Sequence, residues 1–128
     1  MPRTQIVAYC ESNGEAPVLE WLKMLHLGDR RAHAACMASI RLLAKLGYEL
    51  RRPHADYVQE GLYELRTRAL RVHYRIFYFY AGRQVVVLAH AISKEGKLPI
   101  SEVRRALQRK DAYAQDPKIH THKEVFQD

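Results

Sequence analysis

Arg66, Arg68, Arg71, His73 and Arg75 crowd into ten residues of a chain of 128. They sit within the stretch from Gly61 to Lys94, where β-branched or aromatic residues alternate with arginines. A period of two favours paired strands over helix. Side chains alternate between the two faces of a strand, so Arg71, His73 and Arg75 are expected to point the same way. A cationic strip of this kind calls for an anion. A guanidinium presents a planar fork that takes two phosphate oxygens and stays charged at any relevant pH, which makes Arg66 and Arg75 candidates for a phosphate clamp. Imidazole is the side-chain type that exchanges a proton near neutrality, so His73 is a candidate base. The plainer alternative makes His73 a polar residue on a partly exposed strand and the strip a solvated face laced to Glu64, where surface pairs contribute little.

The charge balance bears on that choice. Lys and Arg number 21 against 14 Asp and Glu, a formal +7. Such an excess favours a polyanionic partner, of which nucleic acid is the commonest, although a soluble basic protein would show it too. The length suits one domain, residues 1–128, able to close a core without disulfides or metal. Cys10 and Cys36 lie far apart, in runs that read as strand and helix, and are expected to be small core residues in a reducing cytosol. The start, MPRTQIVAYC, has no long apolar core for a signal peptide, and no stretch approaches a membrane span of about 20 apolar residues. A cytoplasmic protein with no membrane partner is expected. His120-Thr121-His122 offers two imidazoles but no cysteine or carboxylate at ligand spacing, so no metal site is expected, and no cofactor. Gly-rich phosphate loops, GxSxG and HExxH are absent from the sequence, leaving nucleotide hydrolase, esterase and zinc protease readings unsupported.

The elements that would position the strip read as follows. Thr4 to Cys10 forms a strand with Ile6, Ala8 and Cys10 on one side and Val7 and Tyr9 on the other. Ser12 and Glu15 have capping-box spacing, Pro17 suits a first helical turn, and Val18, Leu22 and Leu25 beside Trp21 make an apolar stripe that Gly28 ends. Asp29 can cap a second helix, whose face runs through Ala32, Ala35, Cys36, Ser39, Ile40, Leu43 and Leu46 to a stop at Gly47. The short connection makes the two an antiparallel hairpin. Arg51 to His54 is a loop. Val58 opens the main sheet, Glu60-Gly61 is a bulge or turn, and Thr67 to Leu70 reverses the chain into a strand from Arg71 to Tyr80. Ala81 to Arg83 reverses it again into Val85 to Ile92, apolar on both faces. Pro99 opens a last helix with Ile100, Val103 and Leu107 inward and Glu102, Arg104, Arg105 and Arg109 in water. The tail from about residue 117 has little pattern and is expected to fray. This order predicts an α+β domain with an N-terminal strand, a helical hairpin, a mostly antiparallel sheet and a C-terminal helix, the helices on one side of the sheet.

Several of these motifs, in order, resemble the phage-derived HigB-like branch of the RelE/ParE toxins. They are Gly61-Leu62-Tyr63-Glu64-Leu65-Arg66, Arg71 to Phe79, Val87-Leu88-Ala89-His90 through Lys94, Lys97-Leu98-Pro99, and Glu102 to Ala106. Leu42-Leu43 and Leu46-Gly47 ahead of Pro53 agree with the same pattern. The resemblance implies a RelE-like fold and the toxin of a type II toxin–antitoxin pair, usually a metal-independent, ribosome-dependent endoribonuclease that cuts mRNA in the A site. It also implies a cognate antitoxin, often of helix-turn-helix type, with the ribosome and mRNA as the other partners. Arg66 and Arg75 match arginines typical of the family. Three departures stand out: Glu95 replaces a second lysine, the loop before Lys97 is short, and Leu98 stands where a capping threonine is common.

Metal-free RNA cleavage uses the 2′-hydroxyl as nucleophile and needs a base, an acid and cations around the phosphate. On this reading Arg66, Arg75, His73 and Lys94 are the catalytic candidates, with Arg68, Arg71, Lys97 and Tyr63 contacting RNA. Lys94 could hold phosphate or supply a proton, or be a solvated strand-end lysine. Tyr63, Tyr74, Tyr78 and Tyr80 could stack on bases or pack in the core, and Tyr63 is the one placed near the site. A non-catalytic, ParE-like gyrase inhibitor and an inactive binding module are the competing readings.

Overall fold

A computed structural model describes residues 3–93 and 97–126, the last four as backbone. Strand β1 (Gln5–Tyr9) is followed by helices α1 (Pro17–Gly28) and α2 (Arg30–Leu46) and a 3-10 turn at Gly47–Glu49. Strands β2 (Ala55–Gln59), β3 (Leu62–Ala69), β4 (Val72–Tyr80) and β5 (Val85–Ser93) come next, then α3 (Ile100–Gln115) and β6 (Thr121–Phe126). One six-stranded sheet runs in the order β2-β3-β4-β5-β1-β6. Only the β1–β5 neighbours are parallel. The α+β architecture is the one expected, and it is compatible with a RelE-like fold.

Both faces of the sheet are covered. Ile6, Leu65, Ile76, Tyr78, Val86 and Leu88 pack against Val18, Leu22, Cys36, Ile40 and Leu43 of the α1–α2 hairpin. Residues of opposite parity, Val7, Tyr9, Phe77, Phe79 and Val87, meet Val103, Ala106, Ala112 and Tyr113 of α3. The expectation of helices on one side is therefore corrected: α3 lies on the face opposite the hairpin. Strands β1 and β5, apolar on both sides, require this second layer, because burying that much apolar surface on one face alone would leave the other in water.

Local chemistry explains the joints. Asp29 Oδ1 accepts from the Ala32 amide at 3.1 Å, the expected cap of α2. Gly47 ends α2 at φ 54°, and a Cβ there would come within 2.5 Å of Thr4 Oγ1. The chain entering β1 crosses at this point, with the Thr4 amide bonded to Ala44 O at 2.9 Å, so the position needs glycine for conformation and for space.

Other boundaries moved. The Ser12–Glu15 capping box does not form: Ala16 precedes the helix without a side-chain cap, Pro17 takes its first position, and Asn13 Oδ1 accepts the Glu15 amide instead. Strand β2 starts at Ala55 rather than Val58. The β3–β4 reversal is confined to Leu70 and Arg71, with Leu70 at φ 57°, so Arg71 belongs to the turn and not to a strand. In α3, Ile100 is 70% exposed and the buried positions are Val103 and Ala106. Past Asp116, where no pattern was read, β6 pairs antiparallel with β1. Cys10 and Cys36 are free and buried, and burial pushes the Cys36 thiol up to about 11.

Candidate functional site

Register decides which of the candidate side chains meet. In the β3–β4 hairpin Arg66 lies directly opposite Arg75, and Arg68 opposite His73. Directly opposed residues share a face, so these four project from the α3 side of the sheet. Helix α3 covers that face around Leu62, Phe77 and Ile92 and on toward Val7, Tyr9, Phe79 and Val87. Beyond it the hairpin end is open, and Arg66, Arg68, His73 and Arg75 line a cleft of about 520 Å³. Pro53 and His54, from the loop before β2, form another wall of it.

Two arginines directly opposed across a strand pair repel each other. Glu64, two residues before Arg66 on the same face and 4% exposed, offsets that repulsion. Its Oε1 accepts from Arg66 Nε at 2.5 Å, while Oε2 stands 4.0 Å from Arg75 Nη1. Arg66 Nη2 also lies 3.7 Å from Asp56 Oδ2 on the edge strand, where Arg52 Nη2 approaches the same oxygen at 2.9 Å. The hydrogen bond from Arg52 holds the Asp56 carboxyl below the usual range. Acid lacing of the strip is thus real, yet it is concentrated on Arg66 and Arg75. Among the described residues no carboxylate pairs with Arg68, whose Nε donates to Leu70 O at 3.1 Å at the turn. Cations therefore remain in excess in the cleft.

The remaining candidates are dispersed. Arg71 is exposed in the turn beside the cleft and does not line it. Tyr63 points to the other face of the sheet, opposite Tyr57 in register and stacked on Tyr78 at 5.4 Å. Lys97 is exposed just before α3. Lys94 lies outside the described residues, as do Glu95 and Gly96. Sequence reading missed His54, whose only signal is its place after Pro53, and it treated Glu64 as a surface acid rather than a buried anchor between arginines.

A second polar centre was not foreseen. His90 on β5 is 8% exposed, with Nε2 at 2.5 Å from Glu102 Oε2 and Nδ1 at 2.9 Å from Arg109 Nη1. A guanidinium can only donate, so Nδ1 must accept and the ring proton must sit on Nε2, donating to Glu102. Burial is the main cause that lowers the His90 pKa, against the opposing pull of Glu102. Arg109 Nη1 also donates to Ala89 O at 2.9 Å, and Nε stands 3.6 Å from Glu11 Oε1. Glu102 and Arg109 were expected in water; they face inward because 102, 106, 109 and 113 form one helical stripe with Ala106 and Tyr113. At the tail, the His120 ring stacks on Tyr9 at 5.0 Å and its Nδ1 lies 2.8 Å from Cys10 O. Among the described residues no three His, Cys, Asp or Glu side chains cluster as metal ligands, and no helix is long and apolar enough to cross a membrane.

Taken together, these features define an α+β domain, compatible with a RelE-like fold, with a cation-rich cleft at the end of a β-hairpin. Residues 20–111 match the phage-derived protein Gp49-like family (DUF891). The chain belongs to that family, which is RelE-like and toxin-like. The match runs from α1 into α3 and so includes every residue lining the cleft. No curated protein matches the chain.

Proposed function

We propose that this chain is the HigB-like toxin of a type II toxin–antitoxin pair and acts as a ribosome-dependent mRNA endoribonuclease. The observation that carries the reading is the cross-strand pair Arg66 and Arg75, set with Arg68, His54 and His73 around one open cleft. Cleavage would proceed by transfer of the 2′-hydroxyl proton to a base and bonding of the 2′-oxygen to phosphorus. The 5′-oxygen then departs with a proton from an acid, leaving a 2′,3′-cyclic phosphate. His54 and His73 are the candidate proton carriers, with Lys94 as a third. Arg66 and Arg75 would neutralise the charge that gathers on the phosphate oxygens, held in place by Glu64.

An open cleft gives a flexible RNA strand little orientation. The ribosomal A site would supply it, and orientation can account for roughly 7–11 kcal/mol of barrier lowering in favourable cases. The formal +7 charge suits a site walled by ribosomal RNA, with binding that weakens as salt rises. A toxin must be silenced in its own cell, so the second partner is a neighbour-encoded antitoxin, of helix-turn-helix type, with an acidic or amphipathic docking surface. The test is expression of the chain alone, following bulk translation and DNA supercoiling, with cleavage sites mapped by primer extension in a reconstituted translation mixture. Rapid loss of translation with codon-phased cuts is expected. Efficient, unphased cutting of naked RNA would overturn ribosome dependence, and altered supercoiling with intact mRNA would favour a gyrase inhibitor.

A further inference from the structure

The face of the sheet that carries the α1–α2 hairpin holds a second cleft, of about 610 Å³, in which five tyrosines meet. That volume lies within the roughly 300–1,000 Å³ of ligand sites. Tyr63, Tyr78 and Tyr80 come from β3 and β4; Tyr48 comes from the 3-10 turn and Tyr57 from the edge strand β2. The rings are ordered against one another. Tyr48 stacks on Tyr80 with centroids 3.7 Å apart and planes 14° from parallel, and Tyr57 meets Tyr63 edge-on at 5.2 Å. Tyr48 and Tyr57 are nonetheless each 55% exposed. Two large aromatic rings thus remain half in water at the mouth of a cleft with an aromatic floor.

Arg51 and Arg52 stand at the same mouth. Arg52 is engaged with Asp56, whereas among the described residues no carboxylate pairs with Arg51. The next residues in sequence, Pro53 and His54, wall the arginine cleft. One short segment therefore separates the two clefts, and the Arg52–Asp56–Arg66 chain of ion pairs runs from one to the other.

We propose that the tyrosine cleft is a base-stacking subsite for single-stranded RNA, taking an unpaired nucleotide that flanks the phosphate held in the arginine cleft. Every base has a π-face that can lie on Tyr48 or Tyr57, and Arg51 is placed to meet the adjoining phosphate. A peptide side chain could also fill an aromatic pocket. RNA is favoured by Arg51 at the mouth, with which no described carboxylate pairs, and by continuity with a cleft already suited to phosphate. The inference rests on the RNA reading of the arginine cleft and adds a contact on the other side of the sheet edge.

The test uses fluorescein-labelled, short single-stranded oligoribonucleotides, with anisotropy titrations of the full chain at low salt. Stacking contributions of the usual size predict that Tyr48→Ala or Tyr57→Ala weakens binding by about five- to a hundredfold. Tyr48→Phe, which keeps the ring, should retain wild-type affinity, and circular dichroism checks that each variant is folded. Tyrosine variants that bind as wild type does, or a wild-type chain that binds no oligonucleotide, would overturn the subsite. So would loss of antitoxin co-purification by Tyr48→Ala with unchanged RNA affinity, which would assign the cleft to a protein. Failure of the RNA reading itself is read elsewhere, as intact mRNA in translation mixtures containing the wild-type chain.

Discussion

Replacing His90 by glutamine should flatten the acid side of the protein's stability curve. The folded ring accepts from Arg109 and donates to Glu102, an arrangement that admits only the neutral form. A second ring proton would point at a guanidinium. Burial lowers the folded pKa from its ordinary 6.5, and Arg109 and Arg105 act in the same direction. The sign follows: above about pH 6.5 the ring is neutral in folded and unfolded chains alike, and its contribution is fully present. Below that pH the unfolded chain takes up a proton that the folded chain refuses, so stability falls with pH until the folded ring also titrates. The limiting slope for one proton is about 1.4 kcal/mol per pH unit, and between about pH 7 and pH 5.5 the loss integrates to at most about 1.3 kcal/mol.

Glutamine carries one amide donor and one carbonyl acceptor, so it can serve Glu102 and Arg109 without titrating. Urea unfolding followed by the fluorescence of Trp21 gives the stability of each chain across this range. Burial also lowers the pKa of His33, so wild type and variant share some acid sensitivity, and the difference between them isolates His90. That difference should close as pH falls, because only the wild type loses the His90 contribution. A constant difference would refute the reasoning, and one that widens in favour of the wild type at low pH would show that Glu102 outweighs burial.

The double substitution Arg66→Ala, Arg75→Ala should lower the rate of mRNA cleavage by about a hundredfold or more, in line with the loss of a preorganised charge-stabilising group; a folded double variant that still arrests translation at the wild-type rate would reject the clamp. Glu64→Gln should cost about 1–3 kcal/mol in urea unfolding, since it removes the buried negative charge set between two opposed arginines and turns one carboxylate oxygen into an amide donor, and an unchanged midpoint would mean that water alone screens them. Asp29→Ala should cost about 1 kcal/mol through loss of the α2 cap, read as a lower thermal midpoint without change in RNA affinity.

Local physics made much of the fold legible. The Asp29 cap, the first-turn Pro17, the stop at Gly47 and the two-sided apolar patterns of β1 and β5 depend on a few adjacent residues, and each stands where the pattern placed it. The Ser12–Glu15 spacing failed because Pro17 begins the helix five residues after Ser12, too late for a box that must span the first turn. Arg71 was misplaced because a two-residue turn has no obligatory glycine here: Leu70 takes the left-handed conformation itself. Nothing in the residue type announces that. Strand β6 has no early signal either, because its place depends on β1, more than a hundred residues away in sequence.

The site was legible by half, and the reason lies in how charge is read. A charged residue in an amphipathic helix is ordinarily assigned to water, which sent Glu102 and Arg109 to the wrong side of α3. The apolar character of β1 and β5 on both faces already required a helix on the second face, and the only helix left to supply it was α3. Once α3 is placed there, positions 102 and 109 fall in line with Ala106 and Tyr113, and the partner able to satisfy both charges is an imidazole on the central strand. His90 therefore does for α3 what Glu64 does for the arginine pair: each gives a hydrogen-bonding partner to charge that the packing brings against the sheet. The difference is one of access. Glu64 leaves Arg66 with 43% of its side chain exposed, whereas the His90 network has both ring nitrogens engaged and only 10% of the His90 side chain in water. The same pairing chemistry is a fastening where α3 covers the sheet and, on the proposed RNA reading, an anion-exchange site where it does not.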